Sequence, residues 1–282
     1  MEEPTDFTRL NQDHFDNEAA SYDAKHEKTT EEIARRIEAR RDFIGLDWVE
    51  DDDSSQDEGD DARGQPSRNV RILDYACGTG SMSRALAPYI TQSIGIDLSE
   101  KMVAAYNTRA RNQGLAEDEM VAFHGNLCVP GDEDPAAFRD AKFFDFDLAV
   151  VGLGFHHFDD PALAARRLVA RLRPGGVLMI IDFLPHGPAH GSGHGHDRHA
   201  GHDEHGHHHE GHGHMGEEAG GDAAADKAMK TVTHHGFSEE QIKEIFLSAG
   251  AGQDFALDDM GQVVFGPRHG KRTLFMARGT KP

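Results

Sequence analysis

Between Val70 and Phe183, short apolar runs alternate with amphipathic stretches, and this alternation limits the chain to one fold class. The runs are Val70–Tyr75, Ser93–Ile96, Met120–His124, Phe146–Val151 and Val177–Phe183. The last is apolar throughout except for Asp182, as a strand covered on both faces should be. Helical stretches separate the runs. One covers roughly 81–89, and a second is capped by Ser99 and ends at Gly114. A third opens where Asp160 precedes Pro161 and must stop before Pro174. Strands and helices in this order predict an α/β fold, a doubly wound, mostly parallel sheet.

The flanks extend the pattern. In HHGFSEEQIKEIFLSAG, Ser238 and Gln241 stand at capping-box spacing, Ile242, Ile245, Phe246 and Ala249 share a face, and Gly250 closes the helix. From about Phe255 to Arg278, alternating residues on both sides of GPRHGKR predict a hairpin. Upstream, Thr29 and Glu32 have capping-box spacing, and Ile33, Ile37 and Ile44 recur at helical intervals, so a helix is expected from Thr29 to near Gly45. Two stretches lack the apolar residues for a core. Residues 50–61 hold eight acids in twelve positions, which makes 50–67 a solvated, disordered acidic linker. Residues 185–231 hold twelve of the twenty histidines amid glycine, with eight acids and three bases, and are expected to form a disordered insertion. The expected organisation is N-terminal helices over 1–49, the linker at 50–67, and one α/β domain over 68–282 that carries the insertion.

Lys and Arg total 29 against 50 Asp and Glu, a formal charge of −21. Such a field repels phosphate backbones, so nucleic-acid binding is not expected and small-molecule or protein partners are. Two cysteines, Cys77 and Cys128, make no disulfide framework. The opening MEEPTDFTRL lacks the order of a signal peptide, and the longest apolar stretch is too short to cross a bilayer. A soluble chain in a reducing compartment is expected, the cytoplasm first, with the nucleus left open.

ILDYACGTG, residues 72–80, carries the most chemical information. A strand delivers Asp74 to its carboxyl end, and Ala76, Gly78 and Gly80 let backbone approach a ligand closely. IGIDLS ends the second run and presents Asp97, whose carboxylate can accept both hydroxyl hydrogens of a ribose. Both features suit a nucleoside-containing cofactor. A dinucleotide is disfavoured: Gly78 and Gly80 are followed by Ser83 where GxGxxG needs a third glycine. Asp74 would also stand badly beside a pyrophosphate. It either faces a cationic ligand or only stabilises its turn.

These motifs resemble the class I S-adenosylmethionine-dependent methyltransferases, especially the small-molecule group like the ubiquinone and menaquinone biosynthesis enzymes. Asp74, Cys77, Gly78, Thr79 and Gly80 match the first motif, with Ala76 where glycine is usual. Asp97 matches the ribose-binding acid, followed by Leu98 and by SEKMV, whose Met102 matches a methionine packed on adenine. FHGNL matches the segment at the adenine edge, with Asn126 where aspartate is more usual and Leu127 beside it. FDLAVVGLGFHHFDDP, which includes Gly152, and RLRPGGVLMIIDF match the next two motifs in order. The likeness covers Val70–Phe183 and Thr231–Thr280. It implies a seven-stranded Rossmann-like sheet with an antiparallel last strand, S-adenosyl-L-methionine as cofactor and a small-molecule methyl acceptor. NQDHFDNEAASYDAK resembles the family's N-terminal lid at Phe15, Ala19 and Tyr22, which would put Tyr22 at the cofactor.

Methyl transfer from a sulfonium is an in-line displacement in which positioning can lower the barrier by roughly 7–11 kcal/mol. A base is needed only where the acceptor must first lose a proton. The candidates are His156 and His157 after the fourth run and His234 and His235 before the last helix. Tyr22 and Phe155 are expected to turn ring faces to the sulfonium, an effect of ~0.5–2 kcal/mol. Metal-assisted catechol methylation is disfavoured, because the fourth run ends in Gly152-Leu153-Gly154 and not in oxygen ligands. The histidine tract should take up zinc, nickel or copper adventitiously, with no metal required. Two other readings stand beside an active enzyme: a catalytically silent cofactor-binding regulator, and a metal buffer built on the histidine tract.

Overall fold

The structure, a computed structural model, describes residues 5–49, 69–185, 230–265 and 270–282. The acidic linker at 50–67 and almost all of the 185–231 insertion lie outside the described residues. Five parallel strands come first: β1 (Arg71–Tyr75), β2 (Gln92–Asp97), β3 (Met120–His124), β4 (Phe146–Gly152) and β5 (Leu172–Phe183). The expected hairpin follows as β6 (Gln253–Val264) and β7 (Lys271–Thr280), with β7 antiparallel to both β5 and β6. Together they form one sheet of order β3-β2-β1-β4-β5-β7-β6. This is the seven-stranded, doubly wound sheet with an antiparallel end that the motifs implied.

The helices are α1 (Asp6–Glu38), α2 (Arg41–Ile44), α3 (Ser81–Leu86), α4 (Glu100–Asn112), α5 (Pro161–Arg171) and α6 (Glu239–Ala249). Three of the four expected caps are in place: Ser99 accepts from Met102 N, Asp160 from Leu163 N, and Ser238 forms a full capping box with Gln241. The fourth is a correction. Thr29 does not open a helix; Thr5 caps α1, and Thr29 lies inside it with its hydroxyl donating to Val264 O at 2.9 Å. The Thr29–Glu32 spacing falls by coincidence within a longer helix that no proline or glycine interrupts. That helix ends at Glu38, and a separate single turn, α2, closes at Gly45 in the left-handed conformation.

The sheet is covered on both faces. On one side Leu73, Ala149 and Leu178 pack with Leu168 of α5 and with Ile242 and Phe246 of α6. On the other, Ile72, Val150 and Met179 pack with Ile33 and Ile37 of α1, Ile44 of α2 and Leu86 of α3. Full burial of each such isoleucine is worth about 1.5–3 kcal/mol, so the C-terminal half of α1 belongs to the core. Arg36 and Arg40 fasten the same half to β6, through Met260 O, Gln262 O and the Asp258 carboxylate. Among the described residues no helix is long and apolar enough to cross a membrane.

Candidate active site

The chain runs β1 to β2 to β3 in one direction, then returns to the far side of β1 as β4. Ligands collect at such a reversal, beyond the carboxyl ends of the strands. The loop from β1 to α3 lies there. Ala76 is held at φ 55, a left-handed conformation uncommon for a residue with a side chain, which a glycine would adopt freely. Gly78 and Gly80 share that region at φ 52 and 90 but for different reasons. A Cβ on Gly78 would meet nothing within 4 Å, so its backbone borders open space. A Cβ on Gly80 would lie 2.7 Å from the Tyr106 ring, so this glycine lets the loop pack on α4. The thiol of Cys77 faces the sheet, 2.8 Å from where a Cβ on Gly95 would stand. Burial pushes that thiol well above its ordinary pKa.

Asp74 is buried on the α3 side of β1. Its Oδ2 accepts from Ser83 N at 3.1 Å and from Ser83 Oγ at 2.6 Å, and Ser83 Oγ lies 2.7 Å from Ser93 Oγ and 2.9 Å from Tyr106 OH. The carboxylate therefore stabilises its turn. Its Oδ1, however, is buried with no partner among the described residues. Burial, only partly opposed by the Ser83 bonds, raises its pKa to about 6.

At the tip of β2, Asp97 Oδ2 accepts from Gly78 N and Oδ1 from Ser99 N, both at 2.8 Å. Burial raises its pKa. A carboxylate has about four acceptor sites, so two remain for hydroxyl donors. Met102, on the first turn of α4, is buried, and Leu98 is half-buried with its carbonyl 3.0 Å from His124 Nε2. Asn126 Oδ1 accepts from Tyr75 OH at 3.0 Å and Cys128 N at 2.7 Å, while Tyr75 OH accepts from Leu127 N at 3.2 Å. Tyr75 thus shapes the segment after β3 from below; its aromatic type at a strand end gave no such indication in the sequence. Gly152, ending β4, is crossed closely by Met82 of α3, whose Sδ lies 2.4 Å from where a Cβ would stand.

The N-terminal half of α1 lies over these strand tips. Asp16 accepts from Ser99 Oγ at 2.5 Å and Lys101 N at 3.2 Å. Asp23 accepts from Thr79 Oγ1 at 2.7 Å and pairs with Arg109. Burial works to raise the Asp23 pKa, but the Arg109 and Thr79 hydrogen bonds outweigh it and hold the carboxyl below its usual value. Tyr22 is half-buried, and burial together with the nearby Asp97 carboxylate pushes its phenol up to about 12. Ala19 is buried, and Phe15 meets the His157 ring edge-on at 5.2 Å. Asp16 and Asp23 escaped the sequence reading, although their seven-residue spacing puts both on one side of the helix.

His156 and His157 follow β4 in a single 3-10 turn with ring centres 4.1 Å apart. His156 Nδ1 lies 2.9 Å from Asp182 Oδ1 at the end of β5. His157 Nδ1 lies 2.5 Å from Thr231 O, and burial, with His156 beside it, lowers the His157 pKa to about 3. His234 is also lowered by burial; it lines a hollow of about 330 Å³ between the start of α5 and α6. His235 is exposed. Phe155 is a further correction: it is fully buried between Phe158 and Phe237, so its ring face serves the core and not a sulfonium. Among the described residues no three His, Cys, Asp or Glu side chains are grouped to hold a metal ion.

Residues 73–180 match the family model described as a methyltransferase domain. An uncharacterized methyltransferase of Schizosaccharomyces pombe is 34% identical over 127 residues, which cover 44% of this chain and 43% of that one. A demethylmenaquinone methyltransferase of Clavibacter sepedonicus is 32% identical over 118 residues, covering 42% of this chain and 43% of its own. The chain spans less than half the length of these curated relatives. A chain from the complex of the Haloferax volcanii Trm112 methyltransferase activator has a similar fold, with a TM-score of 0.52 at 15% identity over 95% of this chain and 97% of that one. The stretch from 73 to 180 is thus similar to methyltransferase domains.

Proposed function

We propose that this domain binds S-adenosyl-L-methionine at the tips of β1 and β2 and transfers its methyl group to a small-molecule acceptor. The observation that carries the proposal is the joint placement of Gly78 and Asp97. Open space borders the glycine backbone, and the carboxylate keeps two acceptor sites beyond those used by Gly78 N and Ser99 N. The residues present fit the cofactor. Asp97 would take the ribose hydroxyls, the half-buried Leu98 and the segment at Asn126 and Leu127 would flank the base, and the partnerless Oδ1 of Asp74 would face a cationic group. When bound, the cofactor supplies an electrophilic methyl carbon on a positively charged sulfur. Everything else asked of the chain is orientation and exclusion of water, and α1 supplies cover through Asp16, Tyr22 and Asp23.

Titration calorimetry tests this directly. S-adenosylmethionine should bind and a nicotinamide dinucleotide should not, and Asp97→Ala should weaken binding by at least ~10²-fold, as expected for charge-assisted hydrogen bonds worth about 1.5–3 kcal/mol each. Unchanged affinity in Asp97→Ala would remove the ribose role. The compartment we favour is the cytoplasm, where Cys77 and Cys128, both free thiols, would stay reduced. Binding of zinc, nickel or copper by the histidine tract, without effect on transfer, and the absence of nucleic-acid partners complete the proposal.

A further inference from the structure

We propose that Ala76 is a positioning residue: its methyl group is the strut through which the cofactor loop after β1 sets the place of the turn Phe155–His157 after β4. This rests on the methyl-transfer reading above and adds to it a physical link between the cofactor loop and the candidate histidines. Among the described residues, four other than glycine stand in the left-handed region: Ala76, Asp145, Leu153 and Asp254. Asp145 and Asp254 lie at the amino ends of the parallel strands, and aspartate enters this region several-fold more readily than most side chains. Ala76 and Leu153, at φ 55 and 59, have no polar side-chain atom to offset the strain. They follow β1 and β4, which are neighbours paired as far as Asp74 and Val150. Strain of this kind persists only where the surroundings fix it, and it gathers at functional sites.

The surroundings of these two residues meet at Gly154. A Cβ there would stand 3.0 Å from Ala76 Cβ, tighter than such carbons normally pack. The Gly154 backbone, at φ −114 and ψ −14, lies in a region open to residues with a side chain. The space that a side chain at 154 would fill is therefore taken by the methyl of Ala76, reaching across from the next strand tip. Leu153 turns the chain into that contact. Its N–H donates to Ile181 O at 2.8 Å, and its side chain packs against the core that holds Ile33 and Ile37.

Gly154 in turn opens the bend that follows. Its carbonyl accepts from His157 N at 3.1 Å, and Phe155 O accepts from Phe158 N at 3.2 Å. One side of this bend is held by Phe155, buried against Phe237, and by the His156 N–H, which donates to Asp182 Oδ2 at 3.0 Å. On the other side, the atoms nearest to the Gly154 position from another strand are those of Ala76. Ala76 is itself half-buried, two residues before Gly78, whose backbone borders open space. A cofactor seated on that loop would bear on the strut. Glycine at 76 would adopt φ 55 freely but leave a methyl-sized gap.

Amide exchange resolved by NMR on the full chain tests the proposal. In Ala76→Gly the urea midpoint should stay near that of wild type, because relief of strain offsets the added backbone freedom. Exchange at the His157 and Phe158 amides should nonetheless quicken about fourfold, the factor equivalent to one packed methyl group. Moving the methyl across, in Ala76→Gly combined with Gly154→Ala, should bring the slow exchange back. Exchange that is unchanged in Ala76→Gly, quickened evenly over the sheet, or not restored by the second substitution overturns the strut. If the swapped chain does not fold, Ala76→Ser, which keeps the contact, decides: slow exchange supports the strut and fast exchange refutes it. By calorimetry, S-adenosylmethionine should bind wild type and Ala76→Gly with affinities within about fivefold of each other; a greater loss would make Ala76 a binding contact instead. The bound cofactor should slow exchange at His157 by a larger factor in wild type than in Ala76→Gly, and an equal effect in both overturns the link. Failure of the wild type to bind removes the methyl-transfer reading, while exchange in the unliganded chains still decides the strut.

Discussion

Replacing Ser83 by alanine should destabilise the fold by an amount that depends on pH. Ser83 Oγ is fully buried and donates to Asp74 Oδ2 at 2.6 Å. Ser93 and Tyr106 keep each other as partners at 3.1 Å when it is removed, so the loss falls mainly on Asp74. The Asp74 pKa is raised from 3.8 to about 6 by burial. A raised carboxyl pKa means that the folded chain holds a proton the unfolded chain has released. The stability this gives is complete below about pH 4 and is lost as pH rises through about 6. Ser83 limits the loss, because its bonds favour the charged form. In Ser83→Ala the folded pKa should rise further and the decline should extend to higher pH. At pH 5, with Asp74 protonated, the variant forfeits an ordinary hydrogen bond, about 1 kcal/mol; at pH 8 it forfeits one to a charge, about 1.5–3 kcal/mol. Urea unfolding of both proteins at the two pH values measures the difference. An equal loss at both, or a larger one at pH 5, would refute a buried, ionising Asp74.

Three further outcomes are expected. Gly78→Ala should cost only the ~1–2 kcal/mol of a left-handed side chain yet weaken cofactor binding, whereas Gly80→Ala should cost more through its clash with Tyr106; denaturation and calorimetry on the pair separate the roles, and equal behaviour in both assays contradicts them. Asp23→Ala should leave global stability nearly unchanged, by about 1 kcal/mol, while speeding amide exchange in the N-terminal half of α1; exchange as slow as in wild type would mean that Asp23 is no latch. In a pH titration followed by NMR, His157 should remain neutral from pH 8 to pH 5, because its pKa lies near 3; a midpoint near 6.5 would show that the ring is far wetter than its packing indicates.

Local signals are legible in the sequence because their physics is local. Ser99, Asp160 with Pro161, and the Ser238–Gln241 pair each act across three residues, and all three sit where the spacing put them. The apolar runs located every parallel strand, since burial on both faces leaves few polar exceptions. Thr29 misled because the first half of α1 is polar and acidic, and its anchors Ser99, Thr79 and Arg109 are distant in sequence. Phe155 misled because a one-turn helix decides which way its ring points, and nothing nearby in the sequence records that Phe237 will receive it. Asp182 was conspicuous as the one charge in the apolar run Val177–Phe183, but its partner lies 26 residues earlier, in the turn after β4.

A single uninterrupted helix serves as both wall and roof. The inner half of α1 is sealed into the core by Ile33 and Ile37, and the outer half rests on the strand tips through Asp16 and Asp23. With no loop between the halves to act as a hinge, the outer half is freed by unwinding from Thr5 inward. Helix–coil relaxation takes about 0.1–1 μs, far faster than a typical turnover of about 10 per second. On the proposed cofactor site at the strand tips, entry would then be governed by how often Asp16 and Asp23 release their partners, and salt, which weakens such polar fastenings, should quicken it.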